Sequence, residues 1–299
     1  MTTESGQPKF PWKGDGFPWP DEDLPDLIQK VLRGERAIIV LDDSSGASHA
    51  ELDPDRRLWA GILLHEETAS LMLHAHMLYE PYLFARSGAR TFHFTDLWTG
   101  NGSFSGWPVE ERLWWIEHLG GILAASKSPV AVVQFTPRMI DTLHAGGFPK
   151  KKLPWFDTTE PDGAALLFTI GFMRQHSLGR PGIQITAVAD RRKGPESKFA
   201  AVLGPDGTSP FDFLTPPGLG HASVDQFVLL QFADLVAWGY SRLELIEVRG
   251  VTNEYEERLR ELLVQISRNW QTFGFDDEGE PWYKRLAQLE SHPVPGRAS

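Results

Sequence analysis

From Val224 to Arg242 the chain reads V-D-Q-F-V-L-L-Q-F-A-D-L-V-A-W-G-Y-S-R, apolar on nearly every side of a helical projection, which predicts a helix over Asp225–Arg242 buried on most of its surface. Gln231 and Asp234 interrupt the run. They stand three residues apart and so share one helical face, and a carboxylate in such surroundings requires a partner or a bound cation. Two short apolar runs have strand character. Ala37–Leu41 leads directly into Asp42-Asp43-Ser44-Ser45-Gly46, and Gly182–Ala189 ends in Asp190.

The remaining pattern alternates between strand and helix. Asp23–Arg33 predicts a short helix closed by Gly34. Leu58–Leu64 reads as a strand and Glu66–Ala85 as a helix with Ala69, Leu73, Met77 and Leu78 turned inward. Arg90–Thr95 alternates and predicts a third strand, Gly100–Gly106 a loop, and Pro108 the start of a helix to about Ser126 carrying Leu113, Trp114, Ile116 and Leu119. Val130–Phe135 is a further strand, Gly146–Gly163 is turn-rich and basic, and Ala164–His176 is helical. Gly204–Gly220 reads as a loop or short strand, and Asn253–Phe273 as an amphipathic helix with Leu259, Leu262, Leu263 and Ile266 in register. This alternation predicts a layered α/β domain with part of its sheet parallel. The expected organisation is an N-terminal Pro/Trp-rich arm with a short helix over 1–34, one domain over 35–290, and a disordered tail over 291–299.

Composition narrows the function classes. Apolar and charged fractions of 41% and 23% are those of a globular protein, and no apolar run reaches the roughly 18 residues of a membrane span. The first residues lack the basic and apolar regions of a secretory signal, and the absence of cysteine excludes disulfides and thiolate zinc sites. A cytoplasmic protein is expected. Forty acidic against 29 basic residues give a net charge of −11, which tells against coating nucleic acid by charge alone. Basic residues do cluster at Lys150–Lys152 and at Arg191-Arg192-Lys193, directly after Asp190, where they are candidates for phosphate contacts or simply solvated loops.

Two strands ending in aspartate and an aspartate on a late buried helix supply the oxygen ligands that hard divalent cations need, provided the strand ends and the helix converge. Taken singly, each acid has a plainer reading: Asp42 and Asp190 as loop caps after strands, Asp234 as an arginine's partner. The D-D-S-S-G run after a strand, the strand ending in Asp190, and L-Q-F-A-D-L-V-A-W resemble the domain-of-unknown-function 3800 family over roughly Ala37–Arg249. That family carries an early D-E-S-G run and a late Q-L-A-D-L-(I/V)-A helix. Here Asp43 stands for the family's Glu, and Ser45 separates Ser44 from Gly46.

The resemblance implies a ribonuclease H-like mixed sheet flanked by helices, with additional helices inserted and at the C-terminus. It further implies that Asp42, Asp190 and Asp234 bind two Mg²⁺ or Mn²⁺ ions. The expected activity is hydrolysis of RNA or DNA phosphodiesters. Asp43 is a fourth candidate ligand or a turn residue. Gln231, Ser44, Asp96, Arg191 and Arg192 are candidates for supporting the ligands or touching substrate, His93 is a candidate site residue, and His221 a candidate proton carrier. The family also implies an alternative, a non-catalytic binding or scaffold module in a mobile-element or phage-defence system with a partner protein. Integrase-like strand transfer would normally need added DNA-binding domains, and no helix-turn-helix or zinc finger stands out. The apolar face of the 253–273 segment would cover this domain's own sheet or pair with a second copy.

Other chemistries lack their residues. His65-Glu66-Glu67 has Ala69 where a zinc helix needs its second His, and 100–106 lacks the Lys-Ser/Thr of a phosphate loop. No G-x-S-x-G elbow occurs.

Overall fold

Alternation along the first strand decides how the layers form. In the computed structural model, which describes residues 23–45, 52–147, 159–177, 183–190 and 214–273, β1 spans Arg36–Ser45. Ile38 and Val40 enter one hydrophobic core, while Ala37, Ile39 and Leu41 enter another on the opposite face. The sheet is covered on both sides. Its six strands run β5-β4-β1-β2-β3-β6, with β2 at Arg57–Leu64, β3 at Val130–Phe135, β4 at Gln184–Asp190, β5 at Leu214–Ala222 and β6 at Gln271–Phe273. β1 pairs antiparallel with β2 and parallel with β4, β2 pairs antiparallel with β3, and the outer pairs β4–β5 and β3–β6 are parallel. The chain is thus a mixed α/β sheet with helices on both faces.

The larger core takes helices α1 (Asp23–Leu32), α2 (Glu66–Ser87), α3 (Phe94–Thr99), α4 (Val109–Ser126), α7 (Leu230–Arg249) and α8 (Glu254–Ser267). The smaller core lies under α5 (Pro137–Ala145) and α6 (Pro161–Ser177). Leu24, Leu27 and Val31 of α1 are buried at helical spacing in the larger core, so this helix belongs to the domain and not to an arm. Asn253 accepts a hydrogen bond from the Glu256 amide (3.0 Å) and so fixes the start of α8.

Several elements differ from the sequence pattern. β1 extends through Asp42-Asp43-Ser44, because these residues pair with Ala60, Trp59 and Leu58 of β2; Asp43 is a strand residue and not a turn residue. Arg90–Thr95 is not a strand, since Phe92 and Phe94 are buried among helices and Phe94 begins α3. The inward face of α2 is Ala69, Met72, Tyr79 and Leu83, leaving Met77 and Leu78 exposed, and on α4 it is Trp115 and not Trp114 that is buried. α7 starts five residues later than predicted and runs on to Arg249. The 253–273 segment divides into α8 and the edge strand β6, and α5 had no clear signal in the sequence. Residues 1–22, the two basic clusters and the tail from 291 lie outside the described residues. Among the described residues no helix is long and apolar enough to cross a membrane.

Close packing leaves its mark at Gly61 of β2. A Cβ there would stand 2.8 Å from Thr169 Cγ2 on α6 and 3.0 Å from Leu41 Cδ2, so the missing side chain lets α6 settle on the sheet. Gly61→Val should destabilise the protein by about 1–3 kcal/mol in denaturant unfolding. An unchanged midpoint would show that α6 has room to move.

Candidate metal centre

The register of the two parallel strands brings the first acids together. Leu41 pairs with Ala189, and one residue further along each strand come Asp42 and Asp190. Leu41 and Ala189 point into the smaller core, so alternation turns Asp42 and Asp190 to the other face of the sheet, where α7 lies. Along α7 the residues Leu230, Asp234, Trp238, Ser241 and Arg242 form one stripe facing the same space. The result is a cleft of about 1070 Å³ lined by six aspartates, Asp42, Asp43, Asp96, Asp190, Asp225 and Asp234. Ser44 also lines it.

Asp42 and Asp234 meet at the floor of the cleft. Asp42 is 8% exposed, and its Oδ1 accepts the Asp43 amide at 2.8 Å. Asp234 is half-buried, and its Oδ2 accepts the Phe94 amide at 3.1 Å. Burial, then the carboxylates of Asp234, Asp43 and Asp190, push the Asp42 carboxyl well above the usual carboxylate range. Burial also raises Asp234, against the pull of His93, the Phe94 amide and a hydrogen bond with Asp42. Both carboxyls are therefore harder to ionise than a free aspartate. No arginine or lysine among the described residues makes an ion pair with Asp234, so its reading as an arginine's partner fails there.

The other predicted site residues fall into three groups. Asp96, on α3, lines the cleft with His93, whose Nδ1 lies 3.8 Å from Asp96 Oδ2. Gln231 does not reach the Asp234 carboxylate. It is fully buried, its Nε2 donates to the Val228 carbonyl (2.8 Å) and its Oε1 accepts the Phe92 amide at 3.5 Å, so it braces the 92–94 segment whose next amide but one binds Asp234. Arg191, Arg192 and the His221 side chain lie outside the described residues.

Residues that the sequence did not single out complete the cleft. Ser241 donates to Ser44 Oγ at 2.8 Å, and behind it Arg56 pairs with Glu244 and donates to Gln134 Oε1 at 2.9 Å, with Ser241, Arg56, Glu244 and Gln134 all buried. This polar network ties α7 to β1, β3 and the approach to β2 directly beneath the acids. Thr91 donates to Asp225 at 2.9 Å, and Arg90, Trp98 and Arg242 form the far wall. None of these had a motif. Arg90, Thr91 and Trp98 come to the cleft on the 88–104 segment, and Ser241 and Arg242 on α7.

All the acids are oxygen donors, the set that Mg²⁺ and Mn²⁺ take, and burial with the neighbouring carboxylates makes the Asp42 carboxyl hard to ionise without a cation. The donor set fits a divalent cation. As placed, however, no three His, Cys, Asp or Glu side chains among the described residues stand close enough to surround one ion.

Comparison with known proteins adds little to this geometry. No family model matches the chain, and no curated protein is similar to it. Among solved structures, the crystal structure of Bst-RNase HIII in complex with Mn²⁺ aligns over 81% of this chain and 72% of its own, at 12% identity and a TM-score of 0.32. A TM-score of 0.32 carries neither fold nor activity across, so the function must be read from the cleft.

The raised Asp42 carboxyl has a consequence for stability. The folded carboxyl keeps its proton above the pH at which the unfolded one, near about 3.9, loses it. The folded state therefore binds more protons in that window, and stability is lost as pH rises through the folded value. In metal-free buffer, Asp42→Asn should melt like the wild type near pH 4 and at a higher temperature at pH 8. Parallel melting curves across that range would contradict the raised carboxyl.

Proposed function

We propose that this chain is a ribonuclease H-like, divalent-metal-dependent nuclease, hydrolysing phosphodiester bonds at the Asp42, Asp190 and Asp234 cluster. The observation that carries the reading is the convergence of these three acids, from β1, β4 and α7, on one face of the sheet in one open cleft. The buried Asp42 carboxyl, with Asp234 against it, costs stability when ionised unless a cation joins them. A cleft of about 1070 Å³ lies at the upper end of the range for small-molecule pockets, which suits a segment of polymer.

When bound, Mg²⁺ or Mn²⁺ would supply water activation and stabilise the leaving oxygen. The chain's own residues have separate tasks. Asp42, Asp190 and Asp234 hold the cations, with Asp43 at the rim. The Phe94 amide fixes the Asp234 carboxylate, and Gln231 braces the loop bearing that amide. Ser44, held by Ser241, presents its hydroxyl toward a phosphate oxygen. His93, exposed at the mouth beside Asp96, is placed to take or give a proton through its imidazole.

One observation favours the non-catalytic alternative. The described acids do not close around a single ion, and a module that binds nucleic acid or a defence-system partner without cutting it would have no need for them to do so. The two readings separate in a cleavage assay. Labelled RNA, DNA and hybrid duplex incubated with the chain should be cut only when Mn²⁺ or Mg²⁺ is added, and Asp42→Asn or Asp234→Asn should lower the rate on the order of 10²–10³-fold. Cleavage that survives both substitutions, or none on any substrate with either ion, would overturn the nuclease reading.

A further inference from the structure

The far wall of the cleft does not end the concave surface. Trp98 and Arg242, with the guanidinium 5.2 Å from the ring centroid, form a partition, and both also face a second pocket of about 250 Å³ on the other side. That pocket is lined by Arg112, Arg249, Asn253 and Tyr255 as well. Its charge is opposite to that of the cleft. Three guanidiniums face it, and Glu256, which pairs with Arg242 and Arg249, is the single carboxylate. Arg112 has no carboxylate partner among the described residues; its Nη1 donates to the Leu97 and Trp98 carbonyls, and its Nε is buried with no hydrogen-bond partner. In a chain of net charge −11, uncompensated positive charge beside an acidic cleft needs an anion.

We propose that Trp98 and the three arginines form a second subsite that takes the phosphate and base of a nucleotide flanking the one at the acids, and that the substrate is therefore an unpaired nucleic-acid strand. The proposal rests on the nuclease reading. A guanidinium binds phosphate through paired N–H donors, and the Trp98–Arg242 pair offers a planar surface on which an unstacked base can lie. A pocket of about 250 Å³ admits one nucleotide and not a duplex. The acids repel the strand where no cation offsets them, and the arginines hold it, so the polarity of the two spaces fixes where the strand crosses the acids.

The test is fluorescence anisotropy with oligothymidylate, oligouridylate and a duplex of equal length. It uses the full chain carrying Asp42→Asn in Mn²⁺ buffer, so that binding is read without cutting. Single strands should bind more tightly than duplex. Trp98→Ala should weaken them about tenfold while Trp98→Phe keeps most of the affinity. Arg249→Gln, at the exposed end of α7, should lower the slope of log affinity against log salt by about one. Arg249→Gln decides the matter if Trp98→Ala does not fold, as judged by circular dichroism. Single strands bound equally by all variants, or duplex bound more tightly, would overturn the subsite alone if the wild-type chain still cuts. No binding and no cutting by the wild-type chain would overturn the nuclease reading with it.

Discussion

The structure turns on two carboxyl groups that face each other in a poor solvent for charge. Asp42 is held by β1 and Asp234 by α7, and neither position is negotiable. β1 lies in the interior of the sheet, bonded to β2 on one side and β4 on the other, while α7 is buried along most of its length. Burial opposes the ionisation of both, and the Asp234, Asp43 and Asp190 carboxylates add to it at Asp42. Arg56 and Glu244 form a contrasting buried pair. There the protein buries a carboxylate with a guanidinium and a glutamine amide to satisfy it. At Asp42 and Asp234 it supplies hydrogen bonds from two backbone amides and no cation from the described residues. Burial lifts the Glu244 carboxyl too, but there a guanidinium opposes the lift, whereas Asp42 and Asp234 have no such partner among the described residues, as at a functional site.

What surrounds the pair serves to hold it open and oriented. The Ser44–Ser241–Arg56–Glu244 chain clamps α7 to the sheet beneath the acids, and the 88–104 segment, braced by Gln231, builds the wall above them. This arrangement divides the concave surface by charge. The charged residues that the strands contribute are all acids, Asp42, Asp43 and Asp190, while the helical side mixes Asp96 and Asp234 with Arg90, Arg242 and the aromatic rings of Trp98 and Trp238. A polyanion bound there with cations would be drawn to both walls for different reasons.

The three acids were more legible in the sequence than the elements around them. Asp42, Asp190 and Asp234 stand out because each ends or interrupts an apolar run, and a charge in such a place has few explanations. That they line one cleft could only be set as a condition, since it depends on the register of β1 and β4 and on where α7 packs. The 88–104 wall was not legible. Arg90–Thr95 alternates like a strand, but Phe92 and Phe94 are buried by helix packing and not by a ladder, and local periodicity cannot tell those apart. The inward faces of α2 and α4 were misjudged, Met77 and Leu78 being taken where Met72 and Tyr79 are buried and Trp114 where Trp115 is, because both helices are apolar on more than one side. Gln231 was placed on the correct helix face, yet what it bonds to, the Phe92 amide 139 residues away in the chain, is tertiary information. The Arg56–Glu244 pair, 188 residues apart, was invisible for the same reason.

The most direct test of the central claim is calorimetric titration of Mn²⁺ into the full chain in two buffers of different ionisation enthalpy, beside the Asp42→Asn/Asp234→Asn double mutant. If the facing carboxyls form a cation site, the wild-type chain binds the ion and releases a proton, so that the apparent enthalpy depends on the buffer, and the double mutant shows no such binding. Binding of equal strength in the mutant, or no binding by the wild-type chain with or without a short nucleic-acid strand, would contradict it.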